Sequence, residues 1–141
     1  MRICGISFEP TSAVVVIVEC SPPNGVAVVD SETKRIPMDD HQDSDCLRSF
    51  TRTIAAIVRD YKIESIAIRK CTYSGKYQSG APSIKMEALL QVLDAATALL
   101  SPQTIASRCK SSEFAIPNCI NKYQHDAFKA AFAHASQEME R

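Results

Sequence analysis

Two Val- and Ile-rich runs, Arg2–Phe8 and Ala13–Cys20, are separated only by the turn-forming residues Glu9-Pro10-Thr11-Ser12. Runs of that kind across so short a connection pair as an antiparallel hairpin. A chain that opens this way is committed to a sheet, and the rest of the sequence decides what packs on it. Ser21-Pro22-Pro23-Asn24-Gly25 is a second turn signal. Val26–Val29, with a polar stretch reaching Ile36, predicts a third and less regular strand that ends before Pro37.

The hydrophobic period then changes from two to 3.6. Leu47, Phe50, Ile54, Ile57, Val58 and Tyr61 share one face of a helix over Asp45–Tyr61. Asp43 or Ser44 serves as its N-cap, and the neighbouring aspartates suit the positive end of its dipole. Ile63–Arg69 is short and apolar, as a buried strand is. A loop over Lys70–Ser83 leads to a second helix whose stripe is Met86, Leu89, Leu90, Leu93, Ala96 and Leu100, stopped at Ser101-Pro102. Gln103–Ser107 predicts another strand, and Cys109–Ile120 a loop broken at Pro117. Asn121, with Gln124 three residues on, forms a capping-box pattern ahead of the last helix. The order is β-β-β-α-β-α-β-α, read as a single domain of residues 1–141. A meander followed by alternating helices and strands makes a mixed sheet with helices on its faces.

Composition narrows the setting. With 45% hydrophobic and 23% charged residues the chain is an ordinary globular protein. Its longest apolar run, Ala13–Val18, is far too short to cross a membrane. Met1-Arg2-Ile3-Cys4-Gly5 lacks the features of a secretion signal, so a cytoplasmic location with no membrane partner is expected. The six cysteines (Cys4, Cys20, Cys46, Cys71, Cys109, Cys119) contain no C-x-x-C pair, which leaves a zinc knuckle or thioredoxin-type motif without support. Free thiols are the expectation in a reducing compartment. Cys71 is weighed separately: Arg69, Lys70 and Lys76 carry the sign of charge that lowers a thiol pKa, but the favoured reading is an inert structural thiol at a strand end.

Formal net charge is zero, but the charges are segregated. Asp30, Glu32, Asp39, Asp40, Asp43 and Asp45 crowd one segment, which has neither the glycine nor the terminal glutamate of a calcium loop and reads as solvated charge at a helix start. Between Glu64 and Glu87 there is no acid, while Arg69, Lys70, Lys76 and Lys85 supply four positive charges. This basic stretch leaves a strand and enters a helix N-terminus, where free backbone N–H groups favour anions. Gly75 and Gly80 allow close backbone approach, and Tyr73 and Tyr77 offer faces on which unpaired bases stack. It is not a Walker loop, because Gly75-Lys76 lacks the upstream glycine and the following Ser or Thr. Arg69, Lys70, Tyr73, Lys76, Tyr77 and Lys85 are therefore the candidate contacts to DNA or RNA.

Three peptides carry a resemblance: Gly5-Ile6-Ser7-Phe8-Glu9-Pro10, Ile66-Ala67-Ile68-Arg69, and His125-Asp126-Ala127-Phe128-Lys129-Ala130-Ala131. With the element order, they resemble the first strand (G-I-D-P), the fourth strand and the last helix of the ribonuclease H-like fold, in its RuvC-like Holliday-junction resolvase branch. The resemblance implies three layers around a mixed five-stranded sheet of order 3-2-1-4-5 with strand 2 antiparallel. Lys76 with Gly80, Lys85–Leu89, Ser101–Ile105 and Asn121–Phe128 are also similar to a bacterial family of uncharacterised proteins, which implies no activity. A nuclease of this fold holds two divalent ions on clustered carboxylates. Here Ser7 stands at the first-strand Asp, Arg69 at the fourth-strand Glu and Tyr123 at the first Asp of the final pair, leaving Asp126.

Glu9 falls on the same side of its strand as Ser7 and is the nearest substitute ligand. The expectation is that Arg69 or Lys70 fills the former metal position, bridged to Asp126 or Glu9, with no metal and no cofactor bound. Asp126 also suits a helix start and can pair with Lys129. His125 and His134 have no partners at metal-ligand spacing. The leading reading is a degenerate, non-catalytic domain that binds nucleic acid through the basic loop. One alternative is a nuclease or phosphohydrolase using Mg²⁺ or Mn²⁺ on Asp126 and Glu9, and another is a homodimeric interaction module.

Overall fold

The structure is a computed structural model that describes residues 1–22 and 25–140; Pro23 and Asn24 of the second turn lie outside the described residues. β1 (Arg2–Glu9) and β2 (Ser12–Ser21) form the hairpin, in register from Arg2 opposite Glu19 to Glu9 opposite Ser12. The far edge of β2 takes two partners, β3 (Gly25–Val29) along Ile17–Ser21 and β4 (Arg35–Pro37) along Ser12–Val14. The irregular third strand of the sequence is thus two strands. β5 (Ser65–Arg69) lies parallel to β1, and β6 (Ala96–Leu100) parallel to β5. The sheet order is β3-β2-β1-β5-β6 with β4 also on β2, so there are six strands in the expected order rather than five.

Alternation along the strands builds two cores. Cys4, Ile6, Val15, Ile17, Ile66 and Ile68 face α1 (Ser44–Asp60) and α2 (Ala81–Gln91), meeting Phe50, Ile54, Met86 and Leu90. Ile3, Val14, Val16, Val18 and Ala67 face the other side, against Ala127, Phe128, Ala131 and Ala135 of α4 (His125–Met139). Three layers result. α1 starts where expected, with the Asp43 carboxylate accepting from Asp45 N–H at 3.0 Å. The Asn121–Gln124 box closes a 3-10 turn (Lys122–Gln124) just ahead of α4, with Asn121 N–H donating to Gln124 Oε1 at 3.0 Å.

Two elements depart from the sequence reading. The long helix predicted from Ser83 to Leu100 stops at Gln91, and its second half is β6. Ala and Leu favour helix in isolation, but five consecutive pairings with β5 override that preference. Gln103–Ser107 is not a strand but the body of α3 (Pro102–Arg108). Ser101 Oγ accepts from Thr104 N–H at 3.1 Å and Pro102 takes the first turn, so Ser-Pro starts a helix here instead of only ending one.

α4 sits unusually close to the sheet. A Cβ built on Gly5 would lie 2.1 Å from the Ala127 carbonyl oxygen and 2.8 Å from Ala131 Cβ. Only a glycine lets the helix backbone rest on β1 at this point. Ser65 and His134 join the same two layers deeper down, through a buried Oγ···Nε2 hydrogen bond of 2.8 Å. Among the described residues no helix is long and apolar enough to cross a membrane.

Candidate functional site

β1 and β5 run in parallel, so the segments that follow them leave the sheet at the same end. Between them opens a cleft of about 590 Å³. Phe8, Glu9 and Pro10 form one wall and Arg69 to Thr72 the other, with Tyr77, Ser79, Gly80, Pro82, Ser83 and Pro102 completing it. The loop between β5 and α2 is clasped at its base: Ser79 N–H donates to the Thr72 carbonyl at 2.8 Å, and Thr72 N–H donates to Ser79 Oγ at 3.0 Å. Its tip turns at Gly75, where φ is +93° and a side chain would be strained.

Of the residues expected to bind, this end of the sheet brings together Arg69, Lys70, Tyr73, Lys76 and Tyr77. Arg69 is exposed, and among the described residues no carboxylate forms an ion pair with Arg69, Lys70 or Lys76. Lys70 Nζ lies 5.3 Å from the Tyr73 ring centre, and Lys76 Nζ lies 5.7 Å from that of Tyr77. Each tyrosine thus carries a lysine on its face, within cation–π range. Tyr77 is 80% exposed. Lys85 is placed apart from the others, its Nζ donating to the His41 carbonyl at 2.8 Å, which ties α2 to the acidic segment before α1.

A residue the sequence reading passed over organises the loop. Glu87 on α2 is only 2% exposed, and its carboxylate accepts from Cys71 N–H at 2.6 Å and from the Tyr73 hydroxyl. The hydrogen bond to Glu87 holds the Tyr73 phenol protonated and pushes its pKa up to about 12. The detectable signal was periodicity: Ser83, Met86, Glu87 and Leu90 lie at i, i+3, i+4 and i+7, so the buried stripe of α2 carries a glutamate. A charge on a buried stripe needs specific partners.

Cys71 is the inert structural thiol that the sequence favours. It is buried, and its thiol is pushed up to about 12, first by desolvation and then by the Glu87 charge, against a smaller lowering by Arg69. The positive charges nearby in sequence do not activate it.

The pairing expected for Arg69 or Lys70 is made by Arg35 instead. Arg35 Nε and Nη2 donate to the two Glu9 carboxylate oxygens at 2.7 and 3.0 Å, and Ser12 Oγ donates to the same carboxylate at 2.8 Å. The Arg35 guanidinium also lies 3.6 Å from the ring centre of Tyr123, where the sequence resemblance implies the first of two paired aspartates. These hydrogen bonds, Arg35 first, hold the Glu9 carboxyl below the usual carboxylate range. Asp126 is exposed on the first turn of α4. Among the described residues no three His, Cys, Asp or Glu side chains gather closely enough to hold a metal ion. With Ser7, Arg69 and Tyr123 where the sequence resemblance implies carboxylates, and Glu9 tied to a guanidinium, the residues present do not fit the divalent ions of a nuclease.

The fold is the ribonuclease H-like fold of the RuvC resolvases. Thermus thermophilus RuvC superposes with a TM-score of 0.74 at 10% identity, covering 99% of this chain and 97% of that one. T. thermophilus RuvC in complex with a Holliday junction substrate gives 0.72 at 11%, covering 99% and 96%. The Holliday junction resolvase of fowlpox virus gives 0.53 at 14%, covering 99% and 98%. At these identities the likeness is one of fold. Among curated proteins none matches. The sequence itself is matched over residues 1–134 by one family model, and the chain belongs to that family, described as a protein of unknown function (DUF3010).

Proposed function

We propose that the protein binds nucleic acid without cleaving it, at the cleft and clasped loop beyond β5. One observation carries the reading: Arg69, Lys70 and Lys76 share one end of the sheet with no carboxylate partner among the described residues, beside a tyrosine that is 80% exposed. Cations without a carboxylate partner next to an exposed aromatic ring match a ligand that is anionic and offers stacking surfaces, as single-stranded DNA and RNA do. The absence of catalysis rests on the carboxylate set. Glu9 is held by Arg35, and Arg69 adds positive charge where a metal would need ligands. Resolvases of the same fold act on branched DNA, which makes branched substrates part of the test.

The test is a binding panel of single-stranded, duplex and branched DNA and RNA at two salt concentrations, with and without Mg²⁺. Affinity falls with salt, and Lys70→Ala or Lys76→Ala each flattens the logarithmic slope by about one unit. Mg²⁺ changes neither binding nor strand length. Salt-independent binding, or none, refutes the proposal.

A further inference from the structure

We infer that the cleft takes the phosphorylated end of a single strand, a terminal phosphomonoester in preference to an internal phosphodiester. The inference rests on the nucleic-acid reading above and sharpens it.

Shape is the first argument. Pro10, Pro82 and Pro102 line the cleft, and its volume of about 590 Å³ is that of a site enclosing one small unit. A groove that tracks a backbone needs cations spread along a path. Here Lys85 is diverted to the His41 carbonyl, and of the loop's other cations Arg69 and Lys70 line the cleft.

Charge is the second. Arg69 and Lys70 are adjacent and both line the cleft, and neither is paired with a carboxylate among the described residues. Glu9, the one acidic residue in the lining, is already compensated by Arg35. The cleft therefore presents two cations without an ion-pair partner among the described residues, while the Glu87 carboxylate behind it is taken up by the Cys71 N–H and the Tyr73 hydroxyl. An internal phosphodiester carries one negative charge, whereas a terminal phosphate carries about 1.5 to 2 and three acceptor oxygens. A guanidinium fork beside an ammonium suits the second better than the first.

The third argument is what surrounds the charge. Tyr77 lines the cleft with its ring 80% exposed, so the base next to a bound terminal phosphate has a face to stack on. Lys76 over that ring reinforces it. The Thr72–Ser79 clasp and the Glu87 anchor fix the loop that carries Tyr77, so stacking is not opposed by ordering the loop.

The experiment compares one single-stranded oligonucleotide carrying a 5′-phosphate, a 3′-phosphate or hydroxyls at both ends, by fluorescence anisotropy, with a nucleoside monophosphate as competitor. One phosphorylated form binds about tenfold more tightly than the hydroxyl form. The advantage shrinks as pH falls through about 6, where a phosphomonoester takes up its second proton. Arg69→Gln removes the advantage, while Arg52→Gln, an equal charge change at an exposed position on α1, does not. Equal affinity for all three strands overturns the end preference and leaves the nucleic-acid reading standing. A mononucleotide that binds as tightly as the phosphorylated strand overturns the assignment to a strand end. Binding of no strand at all overturns both.

Discussion

Arg35 grips Glu9 through two nitrogens, at 2.7 and 3.0 Å, and so compensates the carboxylate that lines the cleft between β1 and β5. The pair is built by the sheet. β4 pairs with β2, β2 pairs with β1, and the registers place Arg35 opposite Val14 and Glu9 opposite Ser12. A cation from the added strand thereby reaches across to the end of the first.

Arg35→Ala returns the Glu9 carboxyl toward its ordinary pKa, which a carbon-detected NMR titration reads directly. The sign follows from the depressed value in the folded state. Glu9 adds stability above its unfolded pKa, and that contribution is lost as pH falls through the folded one. The variant therefore has a shallower acid limb in a stability–pH profile. The thermal midpoint near neutrality moves little, since both side chains are substantially exposed.

Of the four glycines, Gly5 is the one where an added methyl group meets packed atoms at once, so Gly5→Ala is strongly damaging. The new Cβ meets a backbone oxygen at 2.1 Å, and neither β1 nor α4 has a flexible side chain to move aside there. The expected loss is about 3 kcal/mol or more by urea denaturation. A loss below about 1 kcal/mol shows that α4 can lift off the sheet.

Glu87→Ala leaves the Cys71 N–H and the Tyr73 hydroxyl without their acceptor and costs about 1–3 kcal/mol. It has a spectroscopic signature. The Tyr73 phenol, pushed up to about 12 in the native protein, ionises near its ordinary value in the variant. Because the folded pKa is raised, the native contribution is complete below the unfolded value and disappears as pH rises toward about 12. Ultraviolet titration of phenolate absorbance in both proteins checks this, with one tyrosine titrating earlier in the variant.

Thiol labelling separates the cysteines. Cys119 is exposed, whereas Cys71 and Cys4 are buried with thiols pushed up to about 12. Near neutral pH a maleimide modifies Cys119 first, and Cys71 reacts only when the chain opens. Rapid labelling of Cys71 in the folded protein contradicts the placement of its thiol.

The elements carrying the strongest periodic signals were legible in the sequence: the opening hairpin, α1, β5 and α4. β6 was not, because Leu89, Leu93, Ala96 and Leu100 continue a helical spacing across the Asp94-Ala95 break. Only pairing with β5 makes that stretch extended. Ser101-Pro102 contained the start of α3, but the pair reads equally well as a stop. The basic loop could be located from charge alone. Its anchor is legible only in part: the period of α2 buries Glu87, but the partners of that carboxylate lie 14 and 16 residues away in the chain. The Arg35–Glu9 pair spans 26 residues and depends on two sheet registers, so no local pattern announces it.

The contact between Gly5 and Ala127 has a further consequence. At Gly5 the seat of α4 is main chain against main chain, and that contact involves neither Ser7 nor Arg69. Residues that line the cleft, such as Arg69 and Lys70, can therefore change while the platform beneath them keeps its shape. Such a fold can exchange one chemistry for another without rebuilding itself, because the surface that meets the ligand and the seam that keeps the layers together are separate sets of atoms.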